Sequence, residues 1–326
     1  MRIIAYSVSS DELPFFEKYA HELGVAYKVT SKPLNEETMH LAKGCQGVSD
    51  FMHGDYTNKL LQQLQDYGIK YLSLRSVGYD GINLDLFKQH HIKLANVPQY
   101  SPNAIAEFTI ALTLMLLRNL QVILPRVKTQ DYARNNMKGR ELADLTVGVV
   151  GTGHIGARAA KLFAGFGAKV VAYDHQQSGD LTYVDSLEDL YRQADVVSLH
   201  VPLTDDNHYM INTQTISQMK DSALLINTAR GGLVDSKALL RALTSKKLAG
   251  AGLDVYEFFA SEIFGEGKEN EVIDDPTFLE LSSLPNVIIT PHIAYNTVTA
   301  IANMVKISTQ NLLDFDKTGQ STNQVA

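Results

Sequence analysis

A glycine-rich turn near the middle of the chain has the residue types and spacing that bind a dinucleotide. Residues 147–156 read VGVVGTGHIG, a short apolar run followed by glycines at positions 151, 153 and 156. Glycines let the backbone turn tightly and approach a pyrophosphate, and the start of the next helix attracts the anion. A tight turn without a ligand is the alternative. The residues that we expect to contact the cofactor are Gly151, Gly153, His154, Ile155 and Gly156.

An acidic residue after the next strand indicates which dinucleotide binds. The apolar run 169–173 is followed by Asp174, close to the position about 20 residues beyond the glycines where the dinucleotide fingerprint has an acid. A carboxylate there accepts hydrogen bonds from the ribose hydroxyls of NAD and repels the additional phosphate of NADP. We therefore predict NAD as the cofactor.

Four further strands end in side chains that could bind or convert a substrate. Because ligands of open α/β sheets bind beyond the carboxyl ends of the strands, the residues that follow each apolar run are candidates for the site. The runs 196–199, 223–226, 250–253 and 287–290 are followed by His200, Arg230, Asp254 and His292. Parallel strands would bring these side chains to the edge that holds the glycine turn.

Three of the four, Arg230, His292 and Asp254, each have a chemical role and a simpler alternative. Arg230 can bind a carboxylate through two hydrogen bonds, although a lone arginine is often a surface ion-pair partner. His292 can act as a general acid or base, or it can be a core histidine. Asp254 could assist them or cap a helix. The residues that we expect to line the cofactor cleft are His200, Val201, Pro202, Thr228, Ala229 and Asp254.

The elements that must position these residues alternate between strands and helices along the whole chain. Apolar runs typical of buried strands occur before residue 100 and again after residue 145, with helical patterns between them. This alternation predicts an α/β fold with doubly wound parallel sheets. A helix begins at Ser101-Pro102 and is apolar on most faces, so we expect it to be buried between domains or against a second copy in a homodimer. The polar segment 318–326 is expected to be mobile.

Composition restricts the class of protein. The chain has 326 residues, enough for two domains, and its net charge of −7 argues against nucleic-acid and membrane partners. The apolar run at the N-terminus is too short for a signal peptide. Cys45 is the one cysteine, and we interpret it as a core residue of a protein in a reducing compartment. We therefore expect a cytoplasmic protein.

Taken together, the motifs closely resemble those of the D-2-hydroxyacid dehydrogenase family, in particular its bacterial D-lactate and D-2-hydroxyisocaproate dehydrogenases. Besides the glycine turn and Asp174, the resemblance rests on HVPLT at 200–204, INTARGGLVD at 226–235, GLDVYE at 252–257 and PHIAYNT at 291–297. It implies a Rossmann NAD-binding domain (residues 101–298) inserted into a flavodoxin-like substrate domain (residues 1–100 and 299–326).

The resemblance also implies roles for individual residues. Arg230 would bind the substrate carboxylate, His292 would donate a proton to the keto oxygen, and Asp254 would support the arginine and the nicotinamide side of the site. Backbone N–H groups of Val77 and Gly78 would also bind the carboxylate. The side chains that the resemblance places around the substrate are Tyr100, Met52 and Tyr295. The implied reaction is NAD-dependent reduction of pyruvate to D-lactate, with larger 2-keto acids also accepted.

One position departs from the family pattern. The family continues GLDVYE with a second glutamate that hydrogen-bonds the catalytic histidine and raises its pKa, whereas this chain has Phe259. Three hypotheses follow. Catalysis is impaired, or Glu257 or Glu262 replaces the missing carboxylate, or the chain is an NAD(H)-binding regulatory protein on the same scaffold.

Overall fold

A computed structural model describes residues 1–51, 55–177, 179–257 and 274–326. The described residues form two compact units, one of residues 1–101 with 296–326 and the other of residues 102–257 with 274–295. The second unit is therefore inserted into the first along the chain.

The strands lie where the apolar runs predict them, with small differences at their ends. β10, for example, begins at Leu248 and not at Gly250. The strands are β1 (Arg2–Ala5), β2 (Ala26–Val29), β3 (Gly47–Asp50), β4 (Tyr71–Leu74), β5 (Lys93–Ala95), β6 (Thr146–Val150), β7 (Lys169–Tyr173), β8 (Val196–Leu199), β9 (Ala223–Asn227), β10 (Leu248–Leu253) and β11 (Val287–Ile289).

Helices connect the strands, as parallel pairing requires. The α-helices are α1 (Leu13–Leu23), α2 (Asn58–Asp66), α3 (Leu84–Gln89), α4 (Pro102–Leu117), α5 (Leu120–Lys128), α6 (His154–Gly165), α7 (Leu187–Gln193), α8 (Thr213–Gln218), α9 (Ser236–Thr244), α10 (Pro276–Ser283) and α11 (Val298–Thr318).

The first unit contains a five-stranded parallel sheet in the order β2-β1-β3-β4-β5. This is the flavodoxin-like order, as predicted. Helix α11 packs against α1 and against β3 and β4, so the last part of the chain completes this unit. Cys45 is buried in its core, in agreement with the interpretation of this residue as structural.

The polar C-terminal tail (residues 320–326) is paired to the sheet, so the expectation that it is mobile is wrong. Gln324 forms an antiparallel bridge with Ala95 of β5. The N–H of Leu94 donates to the carbonyl of Ala326 at 3.0 Å, and that of Val325 donates to the carbonyl of Leu94 at 2.8 Å. Because β5 is an edge strand, its outer backbone groups need partners, and the tail supplies them.

The second unit contains a six-stranded parallel sheet in the order β11-β10-β9-β8-β6-β7. Tyr183 adds a single parallel bridge beside Ala172 of β7, in the place where a longer Rossmann sheet has a further strand. The strand order reverses at β6, whose neighbours are β7 and β8. Ligands of open α/β sheets bind at such a switch point, and the glycine turn follows β6 directly.

Helix α4 belongs to the core of the second unit. It packs against α6 and against β9 and β10, and a Cβ at Gly252 of β10 would lie only 3.1 Å from Leu112 and 3.3 Å from Leu116. The apolar character of α4 is thus explained by this sheet. Among the described residues, no single helix is long and apolar enough to cross a membrane; α4 and α5 reach that length only together, across a bend of 69°.

Candidate active site

The register of the second sheet aligns the strand ends that the sequence identified. Paired positions run in one row from Val150 through Leu199, Asn227 and Leu253 to Ile289. The segments that follow these positions contain, in the same order, the glycine turn, His200, Arg230, Asp254 and His292. The structure therefore brings all of these predicted residues to one edge of one sheet.

Two of the three glycines in the turn are required by the fold itself. Gly151 has φ +88°, a backbone conformation that favours glycine, and a Cβ there would also lie 2.7 Å from the carbonyl oxygen of His200. A Cβ at Gly156 would overlap the carbonyl oxygen of Gly151. Because Gly156 has no Cβ, α6 can pack closely against the turn.

Gly153 differs from the other two because the protein itself does not require it. Its φ is −62°, and a Cβ at this position would meet no atom within 4 Å. It precedes α6, whose first amides, at His154 and Ile155, have no helical acceptor. The open space at Gly153 and this helix N-terminus fit the pyrophosphate of a dinucleotide.

Asp174 is held at the end of β7 as an ionised acceptor. Its Oδ2 accepts from the backbone N–H of Thr152 at 2.5 Å and from the Thr152 hydroxyl at 3.1 Å, and its Oδ1 accepts from the N–H of Gln176. Partial burial opposes ionisation, but these hydrogen bonds outweigh it and lower the pKa of Asp174. Sequence reasoning missed Thr152 and Tyr183, whose hydroxyls lie 2.9 Å apart.

His200 lies beneath the glycine turn as a neutral residue. Its N–H donates to the carbonyl of Val150 at 2.8 Å, and its Nε2 lies 2.8 Å from the hydroxyl of Ser198. Burial lowers the pKa of His200 to about 4. The next residue, Val201, would lie 2.7 Å from a Cβ at Gly151, and Pro202 follows it in the same loop. These residues adjoin the predicted cofactor site and do not carry a charge into it.

A compact turn after β9 presents Arg230. The side chain of Asn227 accepts from the N–H of Ala229 at 3.0 Å and donates to the carbonyl of Arg230 at 2.8 Å. The half-buried guanidinium donates to the carbonyl of Ala229 through Nη1 at 2.8 Å. The hydroxyl of Thr228 points inward and lies 2.9 Å from the hydroxyl of Thr109 of α4. The sequence analysis did not identify Asn227 as the residue that holds this turn. Its polar side chain at the end of a buried strand could have indicated that role.

Asp254 holds the turn that carries His292. Its Oδ1 accepts from the Thr290 hydroxyl at 2.6 Å and from the N–H of Ile293 at 2.9 Å, while its Oδ2 accepts from the N–H of Ala294 at 2.9 Å. The N–H of His292 in turn donates to the carbonyl of Asp254 at 2.8 Å. Asp254 is completely buried, and this burial raises its pKa although the hydrogen bonds oppose the shift. The carboxylate therefore acts on His292 through the backbone.

His292 has an unusual backbone and a weakly basic ring. Its φ of +53° is rare for a residue with a Cβ, and the hydrogen bonds of Asp254 hold it there. The residue is exposed on one side, yet desolvation by the neighbouring protein, with the positive charge of Arg230, lowers the pKa of His292 to about 4. The ring of Tyr295 lies edge-on to it, with centroids 6.3 Å apart.

The substrate residues predicted outside this sheet lie in the first unit. Val77 and Gly78 follow β4 and are half-buried, and Ser76 donates from its hydroxyl to the carbonyl of Gly78 at 2.8 Å. The carbonyl of Val77 accepts from the side-chain amide of Asn96 at 2.7 Å. Tyr100 is half-buried near the end of the same unit.

Two predicted positions, Met52 and Phe259, lie outside the described residues, and so does Glu262. The suggested effect of Phe259 on catalysis therefore stays a prediction. The hypothesis that Glu257 replaces the missing partner of His292 finds no support in the hydrogen bonds of the described residues. The carboxylate of Glu257 accepts instead from the Tyr209 hydroxyl and from the N–H of Ser236.

Comparisons with known proteins agree with this geometry. Residues 110–294 match the family described as D-isomer specific 2-hydroxyacid dehydrogenase, NAD binding domain. The chain is 43% identical to a D-lactate dehydrogenase of Lactiplantibacillus plantarum, over 100% of this chain and 99% of that protein. It is 40% identical to an aromatic 2-oxoacid reductase of Clostridium sporogenes, over 99% of each chain.

The fold has a close match among solved structures. The structure of a D-2-hydroxyisocaproate dehydrogenase has a TM-score of 0.92 to this chain at 43% identity, with 100% of this chain and 99% of that chain covered. Since these relatives are named as enzymes, the comparisons give no support to the alternative of a regulatory protein. The chain belongs to the D-isomer-specific 2-hydroxyacid dehydrogenase family, and NAD is its cofactor.

Proposed function

We propose that the protein reduces pyruvate to D-lactate with NADH and that it also accepts larger 2-keto acids. The observation that supports the proposal is the single row of strand ends, in which the segments that carry Arg230, Asp254 and His292 follow strands of the same sheet edge as the glycine turn. The names of the two relatives, one a D-lactate dehydrogenase and one an aromatic 2-oxoacid reductase, support both substrate classes.

In this proposal Arg230, His292 and Asp254 each have one role. The guanidinium of Arg230 binds the substrate carboxylate, for which its planar fork is suited. His292 supplies the proton to the keto oxygen in reduction and removes it from the hydroxyl in oxidation. NADH, when bound, would supply the hydride to the carbon that carries this oxygen. Asp254 keeps the imidazole in place through the backbone of its turn.

The remaining predicted residues complete the proposal. Residues 1–100 and 299–326 form the substrate domain, and residues 101–298 form the NAD-binding domain. The N–H groups of Val77 and Gly78 bind the carboxylate, and Tyr100, Met52 and Tyr295 line the substrate. The residues proposed to contact NAD are Gly151, Gly153, His154, Ile155, Gly156, Asp174, His200, Val201, Pro202, Thr228, Ala229 and Asp254.

The low pKa of His292 has a consequence for the order of events. Because the charge of Arg230 contributes to this low value, a carboxylate bound to Arg230 neutralises part of the effect. The pKa of His292 therefore rises when a 2-keto acid binds. We expect substrate binding to be coupled to proton uptake, which loads the general acid when it is needed.

The test is a panel of 2-keto acids, including pyruvate, 2-ketoisocaproate and phenylpyruvate, with NADH oxidation followed by absorbance. We expect turnover of several members, since differences in an apolar pocket are worth only about 1–3 kcal/mol. Arg230→Lys should mainly raise KM for the 2-keto acid, and His292→Asn should lower kcat by about 100-fold or more. Absence of turnover with every 2-keto acid, despite tight binding of NADH, would refute the proposal.

The same proposal includes a homodimer. None of the residues of α5 is buried, although the helix is largely apolar: Leu124 is 53% and Val127 46% exposed, and Tyr132 just beyond it is 71% exposed. A second copy would cover this surface. Light scattering should give twice the mass of one chain, and Leu124→Glu should reduce the measured mass to that of one chain.

A cytoplasmic location stays a prediction, which the buried thiol of Cys45 supports.

A further inference from the structure

The C-terminal tail is joined to helix α11 through one buried asparagine. The hydroxyl of Ser321 and the side-chain amide of Asn323 both donate to the Oδ1 of Asn311, at 3.0 Å and 2.9 Å. Asn311 is only 1% exposed. Two donors on one buried carbonyl oxygen hold that side chain in a single orientation.

The opposite end of the same side chain reaches the end of strand β5. The Nδ2 of Asn311 donates to the carbonyl of Asn96 at 2.8 Å and to the hydroxyl of Ser73 at 3.1 Å. The N–H of Asn96 donates to the carbonyl of Asn323 at 3.2 Å. Asn96 is thus held by α11 on one side and by the tail on the other.

Asn96 passes this constraint to the loop after β4. Its Nδ2 donates to the carbonyl of Val77 at 2.7 Å, and the N–H of Val97 donates to the carbonyl of Ser76 at 2.9 Å. The carbonyl of Val77 and the N–H of Gly78 belong to one planar peptide unit. A hydrogen bond that fixes the carbonyl therefore also fixes the direction in which the N–H of Gly78 points.

We propose that the C-terminal tail is part of the substrate-binding machinery, in which Asn323, Asn311 and Asn96 are positioning residues for the Gly78 amide. This inference rests on the proposed function, in which that amide binds the carboxylate of the 2-keto acid. An amide held in place before the substrate arrives binds it without a further loss of conformational freedom. The tail thereby contributes to substrate affinity without touching the substrate.

The test compares Asn323→Ala and Asn96→Ala with Thr322→Ala. Thr322 is the exposed neighbour of Asn323 and makes none of these hydrogen bonds, so it is the matched control. We expect KM for pyruvate to rise about two- to fivefold in Asn323→Ala and about tenfold in Asn96→Ala, since one hydrogen bond to the loop is weakened or lost. The value of kcat and the Kd for NADH should change by less than about twofold. Thr322→Ala should match the wild type.

A second measurement distinguishes this role from a structural one. Hydrogen exchange of residues 76–80, without substrate, should be faster in Asn323→Ala and in Asn96→Ala than in the control. The double variant should have the KM of Asn96→Ala alone, because both substitutions break one chain of bonds. If Asn96→Ala does not fold, Asn323→Ala carries the test.

The outcomes separate the two proposals. A lower Tm with unchanged KM, with or without faster exchange, would show that the tail only stabilises the fold, and the inference would be wrong. Absence of turnover in the wild-type protein would overturn the proposed function instead. In that case exchange at residues 76–80 still tests whether the tail positions the Gly78 amide: unchanged exchange in both variants would overturn that positioning, and faster exchange would support it.

Discussion

At the scale of single residues, the proposed chemistry depends on how Asp254 holds the turn of His292. The carboxylate is buried and accepts three hydrogen bonds, from Thr290, Ile293 and Ala294, which surround the histidine in sequence. The family resemblance places Asp254 beside the arginine and the nicotinamide. The structure adds hydrogen bonds that this placement does not include, through which Asp254 stabilises the left-handed backbone of His292, the proposed general acid.

Asp254→Asn should lower kcat by about ten- to 100-fold, because an amide cannot accept hydrogen bonds through both of its ends. Thr290→Val is the matched control: it removes one donor to the same carboxylate and leaves the backbone bonds, so its loss of kcat should be several times smaller. Steady-state kinetics on variants with wild-type circular dichroism give the comparison, and an Asp254→Asn enzyme with normal kcat would contradict the positioning role.

The charge of Arg230 should be visible in the titration of His292. A nearby cation disfavours the imidazolium, so Arg230→Gln should raise the pKa of His292 above the wild-type value of about 4. Desolvation remains in the variant, and the pKa should therefore stay below the ordinary value for histidine, about 6.5. NMR titration of the ring protons measures both proteins without ligand. An unchanged or lower pKa in Arg230→Gln would show that the two side chains do not interact.

At the scale of secondary-structure elements, the β6–α6 connection separates the demands of folding from those of binding. Gly151 and Gly156 are glycines because any Cβ would collide with the turn itself, whereas a Cβ at Gly153 would meet only open space. The three glycines of the motif are therefore required for different physical reasons. Gly151 and Gly156 are needed to form the turn, whereas Gly153 leaves space in which we predict the cofactor to bind.

Gly156→Ala and Gly153→Ala should fail in different ways. The first overlaps the carbonyl oxygen of Gly151 and should reduce the free energy of unfolding by about 1–3 kcal/mol or more, and NADH binding with it. The second should keep wild-type stability and weaken NADH binding by about tenfold or more. Gly165→Ala, in the same helix and also facing open space, is the control for both. Urea unfolding measures the stability of each variant, and calorimetry measures its affinity for NADH. Normal NADH affinity in Gly153→Ala would contradict the prediction that the cofactor binds at Gly153.

In the first unit, a buried polar cluster joins the ends of β1, β3 and β4. Arg75 is fully buried and donates to the carbonyls of Tyr6 at 2.8 Å and of Ser49 at 3.1 Å. Asp50 accepts from the Tyr56 hydroxyl at 2.7 Å through Oδ2, while its Oδ1 has no hydrogen-bond partner in the described part of the chain. Burial raises the pKa of Asp50 to about 6, although Tyr56 and Arg75 oppose the shift.

This raised pKa predicts how Asp50→Asn changes stability with pH. A carboxyl group that binds its proton more tightly when folded contributes most below its ordinary pKa and loses that contribution as pH rises through about 6. Asparagine stays neutral, so the stability of the variant relative to the wild type should increase from pH 5 to pH 8, by about 1–2 kcal/mol. Urea unfolding at both pH values measures it. Asp85→Asn, at an exposed residue whose pKa Lys88 lowers, should show no such change.

At the scale of the whole molecule, the insertion of one α/β unit into another separates the cofactor motifs from most of the substrate motifs along the chain. Residues 102–257 and 274–295 contain the glycine turn, Asp174 and the row of strand ends. Residues 1–101 and 296–326 contain Val77, Gly78 and Tyr100. Each unit has its own buried core, so a ligand bound to one of them stabilises that unit directly.

NADH should therefore raise the thermal stability of the protein more than NADPH does at equal concentration. At about 100 times its Kd a ligand contributes about 2.7 kcal/mol to the free energy of unfolding. The ionised carboxylate of Asp174 disfavours the additional phosphate of NADPH. Asp174→Asn should narrow the difference between the two cofactors. Differential scanning calorimetry records the transitions, and equal stabilisation of the wild type by both cofactors would contradict the predicted choice of NAD.

Most of the fold could be predicted from the sequence because its signals are local. Strands such as β6 and β8 are buried on both faces and read as nearly continuous apolar runs, and parallel pairing then leaves few possible topologies. The strand-end position of Arg230 and His292 followed from the same runs. The C-terminal tail could not be predicted, because its polar composition does not reveal that the outer edge of β5 needs hydrogen-bond partners.

The sequence by itself determined the family and the cofactor and predicted the reacting groups, since the motifs that carry them are contiguous. Only the tertiary structure decided what holds those groups. Asp254 accepts from Ala294, and Asn311 donates to Asn96, across long separations in the chain, and no local periodicity records such pairs. A buried polar group must find a partner wherever the fold brings one, and that choice is made by packing in three dimensions.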